Sequence, residues 1–298
     1  MTPTWLKARA SRRVLAAVLG SLSLAAPAAI SAEALRNAVF YYGDAANWNS
    51  LRAFQLAVVE PDAGLLSPPP PQATTGSSKT DWFAYVSATE ITAFRDYYFD
   101  VPLSWRAGLN SAWQSEIIDP ATPGWPSFFV ESVVTPLWNR GYTGFFLDTL
   151  DSYELLDLND AQLEHSRQGL LRLIRAIKDK YPEAKLILNR GFELLPAIHQ
   201  DVYAVAFESL YRGWDQTEGR YVEVSQDDRA WLLKQIERIQ QRYKLPIIAI
   251  DYCPPDDIDC AQQTVKQIRA LGVIPYVGDG HLRTISTSAL SDSDKAPF

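Results

Sequence analysis

Cysteine and histidine are scarce in this chain of 298 residues: two of the first, Cys253 and Cys260, and three of the second. The C-x₆-C spacing has no histidine near it, so no zinc ligand set can be assembled and no metal is expected. No G-x-S-x-G occurs, which removes the serine elbow of a hydrolase triad. His165 and His199 fall in helical or post-helical positions, and His281 follows the last strand pattern. A Gly-rich turn after the first strand is missing too, so a dinucleotide has no cradle and no cofactor is expected. Internal repeats and Gly/Ser linkers are likewise missing. Basic charge is the last shortage, with 28 Lys and Arg against 35 Asp and Glu and a net charge of −7. That balance disfavours nucleic acid and anionic membranes and favours a cationic ligand.

What is present begins with a leader pattern. Lys7, Arg9, Arg12 and Arg13 precede an apolar run from Val14 to Ala26, and small residues follow from Ala28 to Ala32. This reads as a secretory signal peptide over residues 1–32, since about 13 apolar residues are short for a membrane span. The expected mature chain, 33–298, is then one domain with 24 basic and 35 acidic residues, a charge of −11. It is expected to be exported, periplasmic or secreted, with no stable membrane span once the leader is removed. In such a compartment Cys253 and Cys260 default to one short disulfide.

The periodicity gives eight strand candidates: Ala38–Gly43, Leu56–Pro61, Trp82–Ser87, Gly144–Leu150, Ala184–Asn189, Val202–Ser209, Pro246–Tyr252 and Val273–Gly278. Most are short apolar runs, as expected of strands buried on both faces. Amphipathic helical stripes over Ala161–Lys180, Asp227–Tyr243 and Ala261–Leu271 separate the later ones. Strand–helix alternation implies a parallel sheet, and eight strands in about 240 residues fit an α/β fold of the (β/α)₈ TIM-barrel type. A doubly wound open sheet is the alternative. Leu66–Lys79, carrying Pro68 to Pro71, is expected to be an exposed loop. The insertion Gly108–Trp138 has Trp105, Trp113, Trp125 and Trp138 in or beside it, as core or as sugar-stacking platforms.

The chemistry is expected where strands end on acids. Gly144 to Asp151 reads GFFLDTLD, and the sixth strand closes on Glu208. Strand parity groups Asp148 with Gly144 and Phe146, Glu208 with Ala204 and Ala206, and Asp251 with Ile247 and Ala249. That grouping sends three acids to one rim, beside Asn189 and Arg190 and ahead of Asp279. Each acid alone is more often a helix cap or a loop ion pair. Recurrence at successive strand ends is the pattern by which a barrel delivers catalytic groups, and two carboxylates suit glycoside hydrolysis.

Four stretches, GYTGFFLDTLDSY, LSWRAGLNSAWQSEIID, LILNRGFELL and YAVAFESLY, together resemble the endo-α-1,4-polygalactosaminidase family, glycoside hydrolase family 114. Within it and the related family 166 the resemblance is nearest to the hydrolase domains of Pel exopolysaccharide modification proteins, over roughly residues 38–285. The resemblance implies an α/β barrel that cuts α-1,4 bonds in galactosamine or N-acetylgalactosamine polymers with retention. It implies Asp148 as nucleophile and Glu208 as general acid/base, with Asn189, Asp251 and Tyr252 around them. Exopolysaccharide export machinery is an implied partner. In YVSATE a Gly is expected before Glu90, so Glu90 departs from the pattern. Tyr41, Tyr85, Trp214 and Tyr252 are expected to stack on sugars, and Asp151, Asp215 and Asp279 to meet an ammonium on an amino-sugar polysaccharide. The rival readings are a barrel glycosidase for neutral α-galactosides and a polysaccharide-binding barrel without catalysis.

Overall fold

The computed structural model describes residues 34–43, 48–63 and 80–291. The leader 1–32 and the loop Leu66–Lys79 lie outside the described residues. All eight expected strands are present: β1 (Ala38–Tyr41), β2 (Leu56–Val59), β3 (Asp81–Ser87), β4 (Gly144–Asp148), β5 (Lys185–Asn189), β6 (Ala204–Glu208), β7 (Ile247–Tyr252) and β8 (Ile274–Gly278). They pair in that order in one parallel sheet, and β8 returns alongside β1, so the sheet is nearly closed into a barrel. In β4 and β6 the only residue that is not buried is the terminal acid.

Helices cover the barrel as the stripes require. α1 (Asp160–Lys180) opens on a capping box in which Asn159 and Gln162 satisfy each other's backbone N–H groups. α2 (Gln226–Arg242) is capped by Ser225, and α3 (Ile258–Ala270) by Asp257. That last cap starts α3 three residues before the apolar stripe does, because an N-cap carboxylate accepting from Cys260 N fixes the first turn. Inside the barrel the ring of Phe146 meets Phe40 across the lumen at 5.2 Å, and Phe40 meets Tyr276 at 5.6 Å. The inward parity expected for β4 therefore holds.

The insertion is built mainly as core. Trp125 is fully buried and donates its indole N–H to Ala88 O at 2.9 Å. Phe128 stacks on it at 5.7 Å, with Trp105 edge-on to both, and Trp138 packs on Tyr181. Only Trp113 of the four tryptophans is largely exposed. Two small antiparallel sheets were not foreseen: Glu90–Ile91, Ser115–Ile118 and Arg106–Asn110, and the hairpin Arg212–Asp215 with Arg220–Glu223. Their strands are too short and too mixed in polarity to show a period. Cys253 and Cys260 form the expected disulfide, tying the end of β7 to the first turn of α3. Among the described residues no helix is long and apolar enough to cross a membrane.

One glycine marks how closely the insertion lies on α1. A Cβ on Gly169 would sit 1.8 Å from Pro120 O, which is backbone and cannot swing away. Replacing Gly by Ala inside a helix normally gains about 1 kcal/mol. Here Gly169→Ala reverses the sign and costs about 1–3 kcal/mol through overpacking, read as a lowered urea midpoint.

Candidate active site

Four barrel strands send side chains to one point at the C-terminal mouth. Asp148 ends β4, Asn189 ends β5, Glu208 ends β6 and Tyr252 ends β7. The Asn189 amide donates through one nitrogen to both acids, at 2.7 Å to Asp148 Oδ1 and 2.8 Å to Glu208 Oε1. Bonds of those lengths to a shared atom leave the two acceptor oxygens no more than about 5.5 Å apart. Tyr85, from β3, donates to Asp148 Oδ2 at 2.9 Å, and Tyr252 donates a short bond to Glu208 Oε2. Both acids are partly exposed, so neither is sealed from solvent.

The backbone beyond these residues is unusual in a consistent way. Thr149, Arg190 and Ser209, which directly follow Asp148, Asn189 and Glu208, have φ of +61°, +58° and +64°. None is glycine, and each costs about 1–2 kcal/mol in the left-handed region. Surrounding bonds hold them there. Thr149 Oγ1 bonds Ser87 Oγ at 2.9 Å and accepts from Thr89 N at 3.1 Å. Arg190 N donates to Ala206 O and Ser209 N to Ile250 O. Strain gathered at three adjacent strand ends is characteristic of a functional rim.

Electrostatics follow from the crowding. Burial first, and then the charge of Glu208, push the Asp148 carboxyl up to about 6, against the opposing donors Asn189, Thr149 and Tyr85. The first proton taken up near that pH belongs to the coupled pair. Burial also raises Tyr85 and Tyr252 well above the phenol range, helped by the charges of Asp148 and Glu208 respectively, so both stay donors. Tyr42 is raised by burial and then by Tyr85, Asp148, Glu208 and Tyr252, and its ring lies 5.0 Å from that of Tyr85.

Several sequence expectations need correction. Asp251 does not reach the mouth. Ile250 pairs with Glu208 in register and shares the inward face with Tyr252, so Asp251 faces away. It is fully buried, and its carboxylate accepts from the backbone N–H groups of Leu210, Tyr211 and Arg212 at 2.7–2.8 Å. Burial pushes it up to about 6 despite those three bonds. Its work is to fix the segment after Glu208, and it is too enclosed to touch a substrate. Tyr41 is 5% exposed within the core; its neighbour Tyr42 takes the place at the mouth. Asp279 uses both oxygens on its own turn, accepting from His281 N, Thr284 N and Thr284 Oγ1. Those bonds hold it below the usual carboxylate range although burial pushes the other way. Asp215 likewise accepts from Thr217 N and Glu218 N.

The remaining residues are placed as follows. Trp214 packs between Tyr221 and His281 and donates to Gln216. Asp151 and Arg190 form an ion pair at 3.7 Å outside the four-residue network. Glu90 is buried and accepts from Asn110, Ser115 and Ser152, which joins the insertion to the segment after β4. No group of His, Cys, Asp and Glu among the described residues could hold a metal ion.

The model of glycoside-hydrolase family GH114 matches residues 28–294. The glycoside hydrolase domain of PelA from Pseudomonas aeruginosa is 32% identical, with a TM-score of 0.74 over 83% of this chain and 96% of that one. Ega3 from Aspergillus fumigatus, solved in complex with galactosamine, shares the fold at 11% identity, with a TM-score of 0.57 over 84% of this chain and 94% of that one. No curated protein matches.

Asp148 also makes a stability prediction. A carboxyl raised from 3.8 to about 6 on folding favours the folded state fully below the lower value. That contribution is lost as pH rises through about 6, leaving a charge that costs roughly 2–3 kcal/mol. Asp148→Asn therefore raises the melting temperature at pH 7.5, and the gain fades as the buffer is taken from pH 6 to below pH 4.

Proposed function

The chain belongs to glycoside hydrolase family GH114, and we propose that it is an exported, endo-acting enzyme that cleaves α-1,4 bonds in galactosamine-rich polysaccharide with retention. The observation that carries this reading is that one amide nitrogen bonds both Asp148 Oδ1 and Glu208 Oε1, so these two oxygens lie no more than about 5.5 Å apart. Retaining glycosidases place their carboxyl groups about 5–5.5 Å apart, whereas inverting ones leave roughly 6.5–9.5 Å for a water.

In this reading Asp148 attacks the anomeric carbon and the glycosidic C–O bond breaks as Glu208 gives its proton to the leaving oxygen. Glu208 then takes a proton from water, which displaces Asp148 from the sugar. Asp148 accepts from Tyr85, Asn189 and the backbone of Thr149, three interactions that favour the charged nucleophile. Asn189 keeps the acids at one spacing through both steps, and Tyr252 orients Glu208. Glycoside hydrolysis is supported by the family match and the PelA likeness, and a galactosamine polymer as substrate by the galactosamine bound to Ega3 and by the acidic balance of the chain. Export is supported by the disulfide and the basic-then-apolar leader pattern. Work beside exopolysaccharide export machinery belongs to the same proposal.

Purified enzyme incubated with partly deacetylated α-1,4-galactosamine polymer is expected to release new reducing ends as a ladder of short oligomers, with the first products in the α configuration by NMR. Glu208→Gln and Asp148→Asn each lower that release by 10³-fold or more, and unchanged cleavage by either variant removes the assignment. On the alkaline side kcat/KM falls as pH rises through about 6, because the coupled pair then no longer holds the one proton that the leaving oxygen must receive.

A further inference from the structure

A cavity of about 350 Å³ is lined by residues that follow Asp148 and Asn189 in the chain and is used by none of the steps above. Its walls include Asp151 and Glu154 from the segment after β4, Arg190 and Glu193 from the segment after β5, and Trp231 and Gln235 from α2. The side chains of Asp151 and Arg190 are 44% and 42% exposed and Trp231 is 46% exposed, so the cavity is open to solvent. Asp151 stands three residues beyond Asp148, and Arg190 directly follows Asn189. Three residues of chain reach at most about 11 Å, so one polymer can span both places.

The chemistry of the walls is specific. Arg190 is already drawn to Asp151 at 3.7 Å, which leaves Glu154 and Glu193 on the wall with Arg238 as the other guanidinium. Glu193 accepts a long bond from Tyr153 at 3.5 Å. Glu193 is solvent-exposed, but partial desolvation of its carboxyl by the cavity walls, and then the charges of Glu154 and Asp151, hold it above the usual range, a cost that an incoming cation relieves. Trp231 is held edge-on to Phe192 at 5.5 Å, a rigid aromatic surface on which a sugar ring or an ammonium can rest. Gln235 contributes a buried Oε1 that accepts no hydrogen bond from the protein.

We infer that this cavity is a subsite for a sugar unit bearing a free ammonium, on the same polymer whose neighbouring unit occupies Asp148 and Glu208. Trp231 carries the ring, and Glu193 with Glu154 receives the ammonium. The inference rests on the glycosidase reading above.

The test measures binding without turnover. Protein carrying Glu208→Gln is titrated calorimetrically with a fully deacetylated α-1,4-galactosamine hexasaccharide and with its N-acetylated counterpart. Adding Trp231→Ala, a change at an exposed position, is expected to weaken hexasaccharide binding at least fivefold. Adding Glu193→Gln is expected to weaken the deacetylated ligand at least threefold and to leave the acetylated one within twofold, in protein whose melting curve shows it folded. Binding within twofold of the parent for Trp231→Ala overturns the inference, as does an equal loss of both ligands in Glu193→Gln. Failure of the wild-type enzyme to release reducing ends would remove the glycosidase reading alone, because the titration needs no cleavage.

Discussion

The active-site architecture turns on one amide group. Asn189 spends both hydrogens of its side-chain nitrogen on two acids that would otherwise repel each other. Like charges this close, in a partly desolvated mouth, raise each other's cost of ionisation. A neutral donor shared between them lowers that cost for Asp148 and fixes their separation. Tyr85 and Tyr252 complete the arrangement from either side, each a phenol that burial keeps protonated. The barrel exists around this point in a practical sense: four consecutive ends of a parallel sheet supply the four side chains, and no loop has to find its place first.

The same rim explains the three left-handed residues. A strand that continued straight past Asp148, Asn189 or Glu208 would carry the chain over the mouth. Turning it sharply at the next residue keeps the opening clear, and the neighbouring strands supply the bonds that hold the turn. Because the positions are Thr, Arg and Ser, the conformational cost is real, and the network around Thr149 shows how densely it is compensated.

Much of this was legible in the residues. The eight strands and the convergence of Asp148, Asn189 and Glu208 follow from apolar runs that end on polar groups, the three long helices from their amphipathic stripes, and the disulfide from two cysteines in a chain with a leader pattern. The errors have identifiable causes. Within β7 the run of Ile and Ala is equally apolar on both faces, so its own pattern does not decide which residues point inward. Only the register with β6 decides that Tyr252, and not Asp251, faces inward. Tyr41 closes the buried run of β1 and is walled into the core, while Tyr42, the residue after it, is the partly exposed one. Asp215 and Asp279 are short-range turn formers, a role that a charge in a polar stretch does not distinguish from ligand binding. Most tryptophans of the insertion fill core, since a segment of this length lying on a barrel needs its own apolar contacts.

The bridge between Cys253 and Cys260 spans seven positions, so its entropic contribution to the whole fold is small, about 2–3 kcal/mol. Its location matters more than its size, for it begins at the residue after the tyrosine that steadies Glu208. Material made where thiols stay reduced would keep its circular-dichroism spectrum in the cold while losing that stability and the covalent tie beside that tyrosine. A preparation judged sound by its folding alone could then be a poor catalyst, and oxidation state belongs beside purity when batches are compared.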